Sequence, residues 1–259
     1  MIGVAAAGAR SGERQGPSDQ RELVKNQYFG DRNDFFKYDL ALSLVEQIGA
    51  LRAFTIVPML TPDDKRAGGN LTDYAALGKH RPGLYQYLMA CVADPARRRV
   101  TSLKHYMRRS EPRVRYYQHG DAENITDIPR DSYFTSISQV EMASAAILVD
   151  PDNGFEVTSM SRASEHKYLR YSELADLYRA MGRDSVLLVY QHWPRMARDK
   201  AFADVAGKIA DRLPEACGPV CVSSASVGFF AIVKDEQLLS EVRGALDHYA
   251  SSRGFEVYS

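Results

Sequence analysis

Ala145-Ala146-Ile147-Leu148-Val149-Asp150-Pro151-Asp152-Asn153-Gly154 sets five consecutive apolar residues directly against two carboxylates, an amide and a glycine. A strand covered on both faces reads as such an unbroken apolar run, and the abrupt polar turn marks where it leaves the sheet. Outward from it, a helical stretch near Ser132 to Ser144 precedes the strand. Behind it lie a helix at about Tyr171 to Met181, a second buried strand at Val186 to Tyr190, and a helix from about Ala197 to Leu213. Alternation of this kind predicts an α/β fold: a doubly wound, mostly parallel sheet with helices on both faces.

The two ends of the chain frame that unit. Val220 to Ser224 and Gly228 to Val233 are separated by three residues, too few for a crossover, so they predict an antiparallel hairpin closing the sheet, followed by a helix from Glu236 to Ser251. Toward the start, Phe35, Tyr38, Leu42 and Val45 fall at helical spacing from Asp34 to Ile48, with Asp34 as the expected cap and Gly49 as the expected stop. Phe54 to Leu60 reads as a strand and Val114 to Gln118 as another. Between them, residues 82 to 109 read as helices broken near Asp94-Pro95, which places a helical insertion at about 62–113. Residues 1–22 lack apolar periodicity and read as a disordered tail, leaving 23–259 as one domain.

Composition narrows the class. No apolar run approaches the roughly 18 to 20 residues a membrane span needs, so no membrane partner and a cytoplasmic location are expected. Cys91, Cys217 and Cys221 read as buried small hydrophobes. The histidines His80, His105, His119, His166 and His248 show no metal-ligand spacing, and no metal site is expected from them. Lys plus Arg and Asp plus Glu both number 33, but the neutrality is uneven. Arg97, Arg98, Arg99, Lys104, Arg108, Arg109, Arg113 and Arg115 lie close together with the single acid Glu111, leaving 25 basic and 32 acidic residues elsewhere. With Tyr106, Tyr116 and Tyr117 interleaved, this run offers charge for phosphates and rings for bases, and predicts a nucleic-acid partner.

Ligands of open α/β sheets bind beyond the carboxyl ends of the strands, so the Asp150 to Gly154 loop is the first candidate site. Its bland alternative is an Asx turn. Tyr190-Gln191-His192-Trp193-Pro194-Arg195 ends the next strand on the same edge; there His192 can exchange protons and Trp193 can line a pocket, against the plain reading of a loop histidine and a core tryptophan.

The segment Tyr28-Phe29-Gly30-Asp31-Arg32-Asn33-Asp34-Phe35-Phe36-Lys37-Tyr38 resembles the opening H-A-G-N-x-x-D-x-x-K-H of the J-type adenine-N6 methyltransferases of 23S ribosomal RNA, matching at Gly30, Asp34 and Lys37. The order of later elements is similar too. The resemblance implies a Rossmann-like methyltransferase fold in which Gly30, Asp31, Asp34, Lys37 and Tyr38 border the cofactor S-adenosylmethionine. It also implies that Asp150 accepts a hydrogen bond from the target amine. Asp152, Asn153 and His192 are further candidates for the chemistry, Asn153 and Phe155 are the expected contacts to the base, and Trp193 is an expected wall of the substrate pocket. Asp152 and Asn153 replace the second proline and the aromatic residue of the family's D-P-P-Y-like motif. Two other readings compete. Asp150, Asp152 and Glu156 would suit a divalent metal in a nuclease or phosphoryl-transfer enzyme, and a non-catalytic nucleic-acid-binding module would need only the fold and the basic run.

Overall fold

The computed structural model describes residues 26–61, 71–107, 113–122 and 124–259. Strands β1 (Ala53–Pro58), β2 (Arg113–Tyr116), β3 (Ala145–Asp150), β6 (Val186–His192), β7 (Cys217–Ser223), β8 (Val227–Val233) and β9 (Glu256–Tyr258) form one sheet in the order β2-β1-β3-β6-β8-β7-β9. The β2–β1, β1–β3 and β3–β6 ladders are parallel, whereas β6–β8, β8–β7 and β7–β9 are antiparallel. The expected parallel sheet with a closing hairpin is therefore present, and it is longer than expected by β9. Strands β4 (Gly154–Phe155) and β5 (Tyr168–Leu169) make a separate parallel pair beside the main sheet.

Helices α1 (Arg32–Gln47), α3 (Pro82–Val92) and α9 (Glu236–Arg253) cover one face, and α5 (Arg130–Thr135), α6 (Gln139–Met142), α7 (Tyr171–Ala180) and α8 (Arg198–Arg212) cover the other. The short helices α2 (Ala75–Gly78) and α4 (Leu103–Met107) complete the insertion between β1 and β2. The apolar run of β3 is explained by this double cover. Ala146 and Leu148 enter the α1 side of the core and Ala145, Ile147 and Val149 the α7 side, all fully buried. Each buried aliphatic side chain of this kind contributes roughly 1.5 to 3 kcal/mol.

Helix α1 begins earlier than the apolar spacing predicts. Asp31, not Asp34, is the cap, accepting from the Asn33 and Asp34 amides at 2.9 and 3.0 Å, and the last residue is followed by Ile48 rather than stopped by Gly49. Asp34 is displaced from the cap because its own carboxylate turns back to the Gly30 amide, 3.1 Å away, and to Lys37. Farther along α1, the fully buried Asp39 accepts from Arg81 Nε and Arg253 Nε, both at 2.8 Å, and from the Tyr249 hydroxyl at 3.1 Å, which fastens α1 to α3 and α9.

Cys91 and Cys221 are buried, Cys217 is half-buried, and all three are free thiols. No described helix is long and apolar enough to cross a membrane. The residues assigned to a disordered tail, together with Arg108, Arg109 and both ends of the insertion, lie outside the described residues.

Candidate functional site

In the sheet order, β1 sends the chain outward to β2, and the chain then returns to place β3 on the other side of β1. The carboxyl ends of β1 and β3 thus flank a topological switch point, where open α/β sheets bind ligands. The exit loops of these two strands are joined there. Met59 N donates to the Asp150 carbonyl at 3.3 Å and Thr61 Oγ1 donates to Asp152 Oδ2 at 2.6 Å.

Lys37 stands at the centre, one turn into α1. Its ammonium is 2.9 Å from Asp150 Oδ2 and 3.0 Å from Asp34 Oδ1, and lies 4.6 Å over the Tyr190 ring. Burial alone would lower the pKa of Lys37, but Asp150 and Asp34 outweigh it and hold it well above the ordinary lysine value. Burial raises the pKa of Asp150 to about 6, against the opposing pull of Lys37, so at neutral pH the carboxyl is ionised and close to its titration range. Asp31 is pushed up to about 7 by burial and by the neighbouring charge of Asp34. Carboxyls perturbed by burial and by neighbouring charge at a strand-end crevice make it a candidate functional site.

Tyr38 lies beside this group. Its hydroxyl is buried with no hydrogen-bond partner among the described residues, and its pKa is raised by burial and then by the charge of Asp34. His192 Nε2 is 3.0 Å from the Tyr190 hydroxyl, and desolvation in the cleft, with the Lys37 charge, lowers its pKa. Gly30 has φ +84°, and a Cβ there would stand 2.6 Å from Val92 Cγ2 and 3.2 Å from the Leu88 carbonyl oxygen. It is buried, and it serves the site by letting the α1 start lie against α3.

The loop that presents Asp150, Asp152 and Asn153 is shaped by Gln191. Gln191 Oε1 accepts from Phe155 N at 2.9 Å, its Nε2 donates to the His192 carbonyl at 2.5 Å, and His192 N donates to the Asn153 carbonyl at 3.2 Å. Asn153, Phe155, Gln191, His192 and Trp193 then line a cleft of about 530 Å3 closed on its far side by α8. Phe155 forms only its floor: it is 1% exposed, with its ring stacked on Tyr171, so Tyr171 and the half-buried Trp193 are the more accessible rings. Trp193 is fixed by its indole nitrogen, which donates to Ser223 Oγ at 2.8 Å.

The three carboxylates of the metal reading do not converge. Asp150 pairs with Lys37, Asp152 accepts from Thr61, and Glu156 accepts from the Tyr171 amide at 2.8 Å, capping α7. Among the described residues no three potential ligands form a metal cluster.

The basic run divides by use. Arg98 Nε donates to the Phe29 carbonyl at 3.2 Å and Arg115 donates to the Val140 and Ala143 carbonyls, so both brace the fold. Arg97 is exposed, 5.6 Å from the Tyr87 ring centre, and Arg99 and Arg113 are exposed as well. Thr61 and Gln191 were not singled out by sequence reasoning; the only signal for them was their position at the ends of strands that turn out to adjoin β3. Compared with known protein families, curated proteins and solved structures, the chain has no significant match.

Proposed function

We propose that this protein is an S-adenosylmethionine-dependent methyltransferase-like enzyme acting on nucleic acid. The observation that carries the reading is the Asp34–Lys37–Asp150 cluster at the switch point, and a separate aromatic-walled cleft is lined by the neighbouring strand-end residues Asn153 and His192. The sheet supports it, since β8 runs antiparallel between β6 and β7 after a parallel β1–β3–β6 core, the ending associated with Rossmann-like methyltransferases.

The residues present suit an α-amino-acid group. Asp31 and Asp34 offer carboxylates to an ammonium, while Lys37 and the Tyr38 hydroxyl, which has no partner among the described residues, offer donors to a carboxylate. Such a cofactor supplies an electrophilic methyl on sulfur. Asp150, ionised above about pH 6, accepts a hydrogen bond from an acceptor amine and orients its lone pair. Asn153 stands next to it as a further polar contact, and Tyr171 and Trp193 give a ring surface for a planar acceptor. Arg97 and Arg99 supply exposed charge for phosphates.

Titration calorimetry with S-adenosylmethionine tests the reading, together with transfer of labelled methyl to RNA and DNA. Binding that Lys37→Ala weakens by about tenfold or more is expected. The absence of cofactor binding by the wild-type chain would remove the proposal. Because Trp193 is the single tryptophan and lines the cleft, its emission reports acceptor binding directly.

A further inference from the structure

The cleft closed by α8 carries net negative charge. Among the described residues its wall holds two carboxylates, Glu156 and Asp204, against one ammonium, Lys208. His192 adds no positive charge at neutral pH, because burial and then the nearby charge of Lys37 lower its pKa. Asp204 and Lys208 stand one helical turn apart on α8, and among the described residues neither forms an ion pair. A cation is therefore favoured on this wall and an anion is not, the reverse of the exposed arginines on the insertion.

Much of the remaining wall is aromatic or apolar. Tyr168, Tyr171 and Trp193 are half-buried, and Tyr171 is backed by the Phe155 ring, with centroids 5.4 Å apart. Val157 and Met196 line the same cleft and are 39% and 42% exposed, so apolar surface there is uncovered. Rings and charge meet at Tyr171. Glu156 accepts from its amide at 2.8 Å, and after burial it is the charges of Glu156 and Asp204 that raise its pKa. An aromatic face attracts a cation through its quadrupole, most strongly where water is excluded. A guanidinium or a primary ammonium would bring several N–H donors that need acceptors. Gln191 is already engaged with the Phe155 amide and the His192 carbonyl, and one oxygen of Glu156 with the Tyr171 amide. A fully alkylated ammonium has no donors to satisfy and sets its methyl groups against rings.

We infer that this cleft binds an organic cation with a fully alkylated ammonium group, held against Tyr171 and Trp193 with Glu156 and Asp204 as its counter-charges. The volume of about 530 Å3 lies within the roughly 300 to 1,000 Å3 of sites for small organic ligands. The inference goes beyond methyl transfer and does not rest on it. Because the acceptor proposed above uses the same rings, the two ligands exclude one another.

Titration calorimetry of the full chain with choline tests it, beside dimethylbutanol as the uncharged carbon isostere and guanidinium as a donor-rich cation. Choline is expected to bind about tenfold or more tightly than either. Glu156→Gln keeps an oxygen for the Tyr171 amide, and combined with Asp204→Asn it is expected to bring choline down to the affinity of the isostere. Asp204→Asn alone, at an exposed position, is expected to weaken choline about threefold. No binding of choline, equal wild-type affinities for choline and dimethylbutanol, guanidinium binding as tightly as choline, or a choline affinity unmoved by Asp204→Asn would each overturn the assignment. Failure of S-adenosylmethionine to bind sinks the cofactor reading alone, and failure of choline sinks only this one.

Discussion

Asp150 carries an ion pair with Lys37 whose two side chains are only 14% and 12% exposed, so it is not a loop residue that can be removed at no cost. Asp150→Ala leaves a buried ammonium with Asp34 as its remaining carboxylate, and the expected loss is about 3 kcal/mol in urea unfolding. Unchanged stability would mean that the pair is dispensable. With the Asp150 pKa raised to about 6, methyl transfer is expected to rise with pH through about 6 and then level off, and a profile flat from pH 5 to 8 would exclude Asp150 as the ionised acceptor. The same shifts act on stability. Between about pH 4 and 7 the folded chain holds protons on Asp150 and Asp31 that the unfolded chain has released, so these groups lower stability as pH rises. Asp31→Asn keeps an oxygen for the cap and removes the charge. It is expected to exceed wild-type stability at pH 8 by at least about 1 kcal/mol, a gain that shrinks toward pH 4. Equal stability of the two proteins at pH 8 would contradict the buried charge at Asp31. Asp150 was legible in the sequence because it follows an apolar strand directly. Its pairing with Lys37 was not, because 113 residues separate them and only the sheet order brings them together.

At the scale of elements, the strands buried on both faces were legible because an unbroken apolar run admits few other places in a fold. The β4–β5 pair and β9, two or three residues per strand, are too short to show any period, and tertiary pairing alone makes them strands. The start of α1 was misplaced for a related reason: Asp31 and Asp34 are equally good caps by type, and contacts with Gly30 and Lys37 decide between them. The turn between β3 and β4 depends on Gly154, which has φ +108° and leaves no room for a Cβ, since one would lie 2.5 Å from Gln191 Cδ. Gly154→Ala is therefore expected to cost about 2 kcal/mol in thermal or urea unfolding. Adding Gln191→Ala should return only the steric share, because the positive φ persists. Full recovery in the double variant would show that the backbone conformation carries no strain.

Over the whole molecule, the charge asymmetry seen in the composition becomes a partly exposed basic face on the insertion, with Arg98 and Arg115 withdrawn from it to brace the fold. Arg97→Glu with Arg99→Glu is expected to flatten the salt dependence of RNA binding by between one and two units of slope, from about 0.7 to 0.9 per phosphate contact, without loss of folding. An unchanged slope would make the run an ordinary solvated surface. Asp39 gives the molecule a further property. Its carboxylate, on the helix that carries Lys37, is satisfied by Arg253, 214 residues later, and by Tyr249. While the chain is being synthesised, α1 and Arg81 exist long before Tyr249 and Arg253 do, so Asp39 gains these last two partners only after residue 253 has emerged from the ribosome. The contacts that seat the helix carrying Lys37 are therefore completed late in synthesis, and a chain terminated before residue 249 keeps Lys37 and Asp150 in its sequence but lacks two of the three groups that hold Asp39.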